Sequence, residues 1–319
     1  MKNVNLGGSC LQVSELCLGA ISFGTSMDRK SSESVLDAFI DGGGNFIDTS
    51  NNYAHWYPGA TGDESETVLG EWFAKSGKRD KVVIATKVGF DRHGVGQGLK
   101  AHQIERWCDE SLRKLKTDVI DLYYAHVDDA DTPVEETMAA FNKLIQKGKV
   151  RAIGASNYYT WRLEEVRQAC EKLGLLNYCA VQQRFSYLFT ENGNLRPYPF
   201  NENANVEKLR YMARFGQALV AYSCLAGGGY ADNGKLLIKS HNANYICGQR
   251  LDVLNAMAKE KNIPASSLVL AWMAHSWKFS NRPQIIPLFS ASSAGHIEEN
   301  IRAMDIVLSD EEAERLNEA

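Results

Sequence analysis

The sequence predicts an α/β fold, a (β/α)8 TIM barrel with an N-terminal β-hairpin and extra C-terminal helices. Short apolar runs alternate strictly with amphipathic helical patterns along the 319 residues, and this order indicates a parallel sheet. Eight such strand–helix units occur, which is the number that closes a barrel. No G-x-G-x-x-G follows the first strand, so a doubly wound sheet is disfavoured. We therefore expect residues 1–319 to form a single barrel domain.

The predicted strands are short, apolar and mostly two-sided, as strands buried in a parallel sheet should be. They are Leu16–Ala20, Phe46–Thr49, Val82–Lys87, Ile120–His126, Ala152–Ala155, Ala180–Arg184, Ala218–Tyr222 and Ile285–Phe289.

Each predicted strand is followed by a helical pattern, and several of these patterns have clear ends. A glycine run, Gly42-Gly43-Gly44, stops the first helix, and Thr132-Pro133 begins the fourth with a cap residue and a first-turn proline. The eight helices are Ser32–Asp41, Glu64–Lys75, His102–Leu115, Val134–Lys147, Trp161–Leu173, Asn205–Phe215, Arg250–Lys261 and Ala294–Met304. Outside the repeat, Asn3–Val13 predicts a hairpin turning at Gly7-Gly8, and Pro264–Ser276 and Ser309–Asn317 predict two further helices.

Charge and cysteine content exclude several classes of function. The net charge is −4 with no polybasic run, so we expect neither nucleic acid nor an anionic membrane as partner. Met1–Glu15 lacks the apolar region of a signal peptide, and the longest apolar stretch, Leu268–Ala274, is too short to span a bilayer. Seven cysteines without a C-x-x-C pair indicate reduced thiols and a cytoplasmic protein. No cluster has metal-ligand spacing, and nothing in the sequence indicates an oligomeric state.

Chemistry in a barrel of this kind lies where the strands end at their C-terminal face. Strand two ends in Asp48-Thr49-Ser50, with Tyr53 in the loop that follows, strand three ends in Lys87, and strand four ends in His126. Three successive strands therefore deliver an aspartate, a lysine and a histidine to one rim, with a tyrosine close by.

These four residue types suit the reduction of a carbonyl by hydride. The developing alkoxide needs a proton, and Tyr53 has the right polarity but an ordinary pKa near 10. An ammonium from Lys87 beside it would lower that pKa, and Asp48 would hold the lysine charged. His126 can hydrogen-bond the carbonyl oxygen and orient it. Each residue alone is more often structural or solvated, and it is their joint position at consecutive strand ends that indicates a site.

Five segments, in order along the chain, resemble the signatures of the aldo-keto reductase superfamily. They are Gly44–Ser50 with Tyr53, Glu66–Gly70, Ala85–Lys87, Asp121–His126 and Gly148–Asn157. The resemblance covers essentially the whole chain. It implies that Tyr53 is the general acid/base, that Asp48 and Lys87 activate it, and that His126 orients the carbonyl.

The resemblance also implies a nicotinamide cofactor, NADP(H) and in addition NAD(H). Ser156, Asn157 and Gln182 match positions that bind the carboxamide, and Tyr222 matches the ring that stacks on the nicotinamide. The remaining predicted cofactor residues are Ser223, Leu225 and Gly227 near the pyrophosphate, and Ser290, Ser292, His296, Glu299 and Asn300 near the adenosine. The family often has a cation after strand eight, but Ser290–His296 contains no Lys or Arg.

The substrate is expected to be a small carbonyl compound or the corresponding alcohol, and a sugar or small polar aldehyde fits the residue types. Aromatic walls can pack on the C–H face of a sugar, and polar groups can bind its hydroxyls. The predicted pocket comprises Phe23, His55, Trp56, Tyr57, Phe90 and Asp128. Two loops, 55–62 and 192–205, are interpreted as substrate-side additions, because barrels diversify through such loops.

Two other functions remain open at this point. A barrel of this family can act as a regulatory subunit that senses the redox state of the cofactor, since fold does not fix function. A non-redox isomerase or aldolase would instead use Lys87 as a Schiff-base nucleophile. That second alternative leaves Tyr53 and the predicted cofactor residues without a role.

Overall fold

A computed structural model describes residues 1–90, 98–190, 203–231, 245–246, 248–276 and 281–319. The strands are β1 (Asn3–Asn5), β2 (Gln12–Ser14), β3 (Cys17–Gly19), β4 (Phe46–Asp48), β5 (Val83–Val88), β6 (Ile120–Ala125), β7 (Val150–Ser156), β8 (Ala180–Arg184), β9 (Phe189–Thr190), β10 (Ala218–Tyr222), β11 (Tyr245–Ile246) and β12 (Ile285–Phe289). The helices are α1 (Arg29–Asp41), α2 (Glu64–Ser76), α3 (Ala101–Leu115), α4 (Val134–Gln146), α5 (Thr160–Leu173), α6 (Val206–Arg214), α7 (Gly248–Glu260), α8 (Ala265–Ser276), α9 (Ala294–Arg302) and α10 (Asp310–Glu318).

Eight parallel strands close into a barrel in the order β10-β12-β3-β4-β5-β6-β7-β8. Every predicted strand belongs to this barrel, so the predicted fold class is confirmed. The boundaries differ at some strands, since β3 is three residues long and β7 begins at Val150 rather than Ala152. The antiparallel pair β9–β11 was not predicted, because two-residue strands are too short to show a periodicity.

The helix ends follow local capping chemistry. Asp28 precedes α1, and its side chain accepts a hydrogen bond from Ser31 N. Asn205, predicted as the first residue of a helix, is instead the cap of α6 and accepts from Lys208 N at 2.8 Å. Ser309 caps α10 in a reciprocal capping box with Glu312. Asx and serine side chains favour this position because they satisfy free N–H groups of the first turn.

The N-terminal hairpin closes the bottom of the barrel. β1 and β2 pair antiparallel, and Leu6, Leu11 and Val13 are buried in the apolar cluster that fills the barrel interior. Gly7 has φ +51°, and a Cβ at this position would lie 2.1 Å from the Cys179 carbonyl oxygen. Glycine is therefore required here for both its conformation and its small size. With this end plugged, the C-terminal end is the open one.

A buried ion pair joins two helices to the strand that carries Lys87. Glu66 on α2 is fully buried. Its carboxylate accepts a hydrogen bond from Thr86 Oγ1 at 2.6 Å and forms an ion pair with Lys114 Nζ at 2.8 Å. Lys114 on α3 also pairs with Asp63 at 2.7 Å. Because these groups satisfy one another, α2, α3 and β5 are held in one arrangement.

Other predictions concern segments or properties outside the barrel core. The predicted loop 192–205 lies mostly outside the described residues, as does Cys247. The six cysteines within the described part of the chain are free. Among the described helices, none combines the length and the apolar character that crossing a membrane requires.

Candidate active site

An open cavity of about 980 Å³ lies at the C-terminal end of the barrel. All twelve predicted cofactor residues line it, together with Tyr53 and His126 of the predicted catalytic group. Asp48 and Lys87 are fully buried and lie behind this lining. Each side chain arrives from the end of a strand or the loop after it, as the barrel topology requires.

The three residues Asp48, Tyr53 and Lys87 form one hydrogen-bonded cluster. The Tyr53 hydroxyl donates to Asp48 Oδ1 at 2.8 Å, and Lys87 Nζ donates to the Tyr53 hydroxyl at 2.5 Å. Lys87 Nζ also contacts Asp48 Oδ1 at 2.5 Å and the Thr49 carbonyl oxygen at 2.7 Å. The ammonium therefore has three oxygen partners, which compensates its complete burial.

Burial and charge keep Tyr53 protonated. Removal from water, followed by the charge of Asp48, raises the pKa of the Tyr53 phenol well above its usual value near 10. Burial also lowers the pKa of Lys87, against the opposing effect of Asp48. The sequence predicts that the ammonium of Lys87 lowers the pKa of Tyr53, whereas burial and Asp48 act on that pKa in the opposite direction. A neutral phenol is the form that can give a proton.

His126 faces the cavity beside this cluster. Burial, and secondarily the charge of Lys87, hold the pKa of its imidazole well below the usual value near 6.5. His126 Nδ1 lies 3.1 Å from Ser50 Oγ, and Ser50 Oγ lies 2.7 Å from Asn52 Oδ1. The Ser50 hydroxyl donates its one proton to Asn52 Oδ1, so in this arrangement Nδ1–H of His126 donates to Ser50 Oγ and Nε2 is an acceptor. Rotation of the Ser50 hydroxyl towards Nδ1 gives the other neutral tautomer, in which Nε2 carries the proton and can donate to a ligand.

The predicted nicotinamide residues are linked to the catalytic cluster and to one another. Gln182 Nε2 donates to Asp48 Oδ2 at 2.7 Å. Asn157 Nδ2 donates to the His126 carbonyl oxygen at 3.1 Å and to Ser156 Oγ at 3.0 Å, while the Tyr222 hydroxyl donates to Asn157 Oδ1 at 2.8 Å. These bonds fix the orientation of the amides and of the tyrosine ring at one wall of the cavity.

The far wall of the cavity is formed by the start of α9. Ser293 caps this helix, its hydroxyl accepting from His296 N at 3.3 Å, and Ser292 Oγ lies 3.0 Å from His296 Nδ1. Free N–H groups and a partial positive charge at a helix N-terminus attract anions. The remaining side chains of this wall are neutral or acidic, with Asn300 and Glu299 deeper along the helix.

The predicted substrate residues are only partly brought together. Trp56 and Phe90 line the cavity, and the His55 ring packs against both, at 5.1 and 6.2 Å between centroids. Outside the lining are Phe23, which is 1% exposed in the core, and Tyr57, which faces solvent. Asp128 is also outside, bonded to Arg162 Nε at 2.9 Å.

Several lining residues were missed by the sequence reasoning. Ile21 and Met27 come from the loop after β3, and Arg184 ends β8. For Arg184 a signal existed, because side chains two apart on a strand share a face and Gln182 was already placed inward. For the loop residues no periodicity was available.

The position of Lys87 bears on the Schiff-base alternative. Its Nζ is behind Tyr53, fully buried and bonded to three oxygens, so it does not reach the cavity surface. A nucleophilic amine must be free and accessible to substrate. The geometry therefore disfavours an aldolase-type role.

Within the described ranges, no group of three or more His, Cys, Asp or Glu is placed to hold a metal ion.

The closed barrel, and the polar cluster at its open end, define a (β/α)8-barrel enzyme. A family model described as "Aldo/keto reductase family" matches residues 15–319. The chain therefore belongs to the aldo/keto reductase family, and it is an oxidoreductase.

Three curated relatives illustrate the range of the family that it resembles. An uncharacterized oxidoreductase of Bacillus subtilis is 31% identical, over 100% of this chain and 95% of the relative. Norsolorinic acid reductase A of Aspergillus parasiticus is 30% identical, over 97% and 78% respectively. An aryl-alcohol dehydrogenase of Pestalotiopsis microspora is 28% identical, over 96% and 78%.

Proposed function

We propose that this chain catalyses the NAD(P)H-dependent reduction of an aldehyde or ketone, and the reverse oxidation of the alcohol. The observation that carries the proposal is the Tyr53 hydroxyl, which lines the cavity while bonded to Lys87 Nζ at 2.5 Å and Asp48 Oδ1 at 2.8 Å. This is a proton donor held in a charged, water-poor setting at the edge of a ligand-sized space.

Proton transfer is the task of the chain's own residues. Tyr53 gives its hydroxyl proton to the carbonyl oxygen, and the ammonium of Lys87, 4.3 Å from the centre of the phenol ring, stabilises the phenolate that results. Once the Ser50 hydroxyl turns to His126 Nδ1, neutral His126 donates from Nε2 to the same oxygen and sets its orientation. In the oxidation direction the Tyr53 phenolate acts as the base and accepts the proton of the alcohol hydroxyl. The nicotinamide, when bound, supplies or accepts the hydride.

The residues present fit a nicotinamide cofactor, and NADP(H), with NAD(H) as second cofactor, is part of the proposal. An aromatic ring and oriented amides occur at the wall next to Tyr53, from Tyr222, Asn157 and Gln182. The open helix N-terminus near Ala294 lies at the other end of the same cavity. A ligand with a flat amide-bearing ring at one end and phosphate groups towards the other matches this distribution.

For the substrate we propose a carbonyl group attached to a flat, largely apolar body. Ile21, Trp56 and Phe90 line the mouth of the cavity, and Trp56 is 61% exposed, which suits stacking on an aromatic ring. The expectation of a sugar relied on His55 and Asp128. His55 Nδ1 contacts the Asn52 carbonyl oxygen at 3.0 Å, and Asp128 is bonded to Arg162 Nε at 2.9 Å, so both polar groups have partners within the chain, which supports an apolar substrate over a sugar.

The test is an assay of the purified chain with a panel of aromatic aldehydes, alkyl aldehydes and sugars. Oxidation of NADPH or of NADH is measured from the loss of the cofactor's absorbance. We expect carbonyl-dependent oxidation of the cofactor, fastest with aromatic aldehydes. Cofactor binding without turnover of any carbonyl would overturn the proposal and favour the regulatory alternative. A faster reaction with sugars would overturn the substrate class alone. A cytoplasmic location stays a prediction.

A further inference from the structure

Arg184 is a cationic side chain on the cavity wall for which the proposed reaction has no use. It ends β8, lines the cavity and is half-buried. Its guanidinium carbon lies 5.8 Å from the centre of the Tyr222 ring. Its Nε is buried and has no hydrogen-bond partner among the described residues. The guanidinium also interacts with the Tyr222 side chain. A buried Nε–H is nevertheless costly to leave unpaired, and a ligand that accepts from it would satisfy this donor.

The charge of the cavity makes Arg184 distinctive. Among the described residues that line the cavity, it carries the one full positive charge, and Glu299 carries the one carboxylate. Glu299 belongs to α9, at the opposite wall. No carboxylate of the described chain lies within 4.0 Å of the Arg184 nitrogens. The inner wall near Tyr53 therefore offers an anion a planar, bidentate partner.

The register of the strands places Arg184 near the reacting group. Gln182, two residues earlier on β8, bonds Asp48 at 2.7 Å, and Asp48 accepts from Tyr53. Two residues along a parallel strand correspond to about 6.6 Å. Arg184 is therefore one inward-facing layer above the group that holds the proton donor, within the reach of a second substituent on a small substrate.

The strand order separates Arg184 from the proposed phosphate region. Tyr222 on β10 pairs with Arg184 on β8, while the other neighbour of β10 is β12, followed by Ser290 and α9. A cofactor running from Tyr222 to the start of α9 extends towards β12. Arg184 stands on the β8 side of Tyr222, away from β12.

We propose that Arg184 is the binding subsite for an anionic group, a carboxylate, on the carbonyl substrate. The preferred substrate is then an aromatic aldehyde or ketone that also carries a carboxylate, recognised by two parallel N–H···O bonds from the guanidinium. The inference rests on the proposed function, since it names the substrate of that same site.

The experiment compares a matched pair of aldehydes, 4-carboxybenzaldehyde and the neutral methyl 4-formylbenzoate, at saturating NADPH. We expect the wild type to favour the acid, and Arg184→Met to lower kcat/KM for the acid by about 10- to 100-fold while the ester changes less than about threefold. Arg184→Lys should retain part of the preference, because it keeps the charge but not the bidentate fork. Arg113→Met, on an exposed arginine of α3 that pairs with Glu110, is the control with the same change of charge.

A binding measurement separates this inference from the proposed function. Terephthalate is titrated into the complex with NADP+, following tryptophan fluorescence, and NADP+ itself is titrated into each variant. Weaker terephthalate binding in Arg184→Met with unchanged NADP+ binding supports the subsite. Equal binding of terephthalate by wild type and variant, or equal losses with acid and ester, overturns it. Weaker NADP+ binding by the variant also overturns it and assigns Arg184 to the cofactor's phosphates. If the wild type reduces neither aldehyde, the proposed function fails, and the terephthalate titration still decides the subsite.

Discussion

Lys87 Nζ lies 2.5 Å from the Tyr53 hydroxyl, and only the tyrosine of this pair reaches the cavity surface. Lys87 is enclosed by Asp48, the Thr49 carbonyl and the phenol ring. A proton given to a ligand must therefore leave from Tyr53, and Lys87 acts on the reaction through that hydroxyl. Because the two residues have different roles, mutations of Tyr53 and of Lys87 should have different effects on the reaction.

Tyr53→Phe should lower kcat for carbonyl reduction by about 100-fold or more, since general acid catalysis contributes at least that much. The dissociation constant for NADPH should change less than about twofold, because the ring remains and only the hydroxyl is lost. Stopped-flow turnover and fluorescence titration measure the two quantities. Tyr211→Phe, which removes a hydroxyl bonded to Glu164 on the outer helices, is the matched control. Near-wild-type turnover by Tyr53→Phe would remove Tyr53 from the mechanism.

Lys87→Met and Asp48→Asn should move the pH profile of alcohol oxidation in opposite directions. Alcohol oxidation needs Tyr53 as a phenolate. Burial and the charge of Asp48 oppose its formation, because both raise the pKa of the Tyr53 phenol. Without the ammonium the rising limb should shift to higher pH, and without the carboxylate to lower pH, each by about one unit or more. The profiles of kcat/KM for a benzylic alcohol measure both shifts.

The folding of these two variants must be measured alongside. Lys87→Met leaves the Asp48 carboxylate buried without its cation, which costs about 3–5 kcal/mol in the free energy of unfolding. Urea denaturation shows whether each variant is folded under assay conditions. Profiles that overlay the wild type after scaling, or shift in the same direction, would contradict the assignment of opposite electrostatic effects to Lys87 and Asp48.

His126 should lower the stability of the folded protein at acid pH. Burial holds the pKa of its folded-state imidazole well below the usual 6.5, so below pH 6.5 the unfolded chain takes up a proton that the folded chain does not. The stabilising effect is present above pH 6.5 and is lost as the pH falls towards the folded pKa. Between pH 6.5 and 5 the loss should amount to at most about 2 kcal/mol.

Urea unfolding of wild type and His126→Gln at pH 7 and pH 5 measures this effect. The variant should lose less stability than the wild type between the two values. His102→Gln, at an exposed position near the start of α3, is the control and should behave as wild type. Equal pH dependence in His126→Gln and wild type would show that the imidazole titrates normally.

The preference between NADPH and NADH should be weak, within about tenfold in kcat/KM, or ~1.4 kcal/mol. The wall near α9 offers serine hydroxyls, His296 and the helix N-terminus, and Ser290–Ile301 contains no Lys or Arg. Neutral hydrogen bonds retain less affinity for a 2′-phosphate than a guanidinium does. Ser292→Arg should shift the ratio towards NADPH, whereas Ser31→Arg on α1 should not. A wild-type preference for NADPH above roughly 100-fold would mean that a cation from another segment meets the phosphate.

The barrel and the position of the catalytic cluster could be predicted because both depend on local pattern. Alternation of apolar runs with amphipathic segments specifies the strands and helices, and parallel strands bring their C-terminal ends together. Asp48, Lys87 and His126 could therefore be placed at one rim from their positions at strand ends. The pair β9–β11 was not predicted, because each strand has only two residues and the two strands come from segments far apart in the sequence.

Which side chains reach the cavity was decided by tertiary packing. Asp128 and Phe23 were predicted as substrate residues, yet Asp128 pairs with Arg162 and Phe23 is buried in the core. Arg184 was taken as a strand end, and its place beside Tyr222 follows from the register of β8 with β10.

The sequence by itself determined the fold class, the order of the strands' terminal residues and the chemical types available at the open end of the barrel. Only the tertiary structure decided the direction of the Tyr53 pKa, because burial and the distances to Asp48 and Lys87 compete, and neither can be read from residue order. It also decided that Arg184 faces the cavity while Lys87 does not. The physical reason is that electrostatic effects depend on distance and exposure to water, which the closed barrel sets.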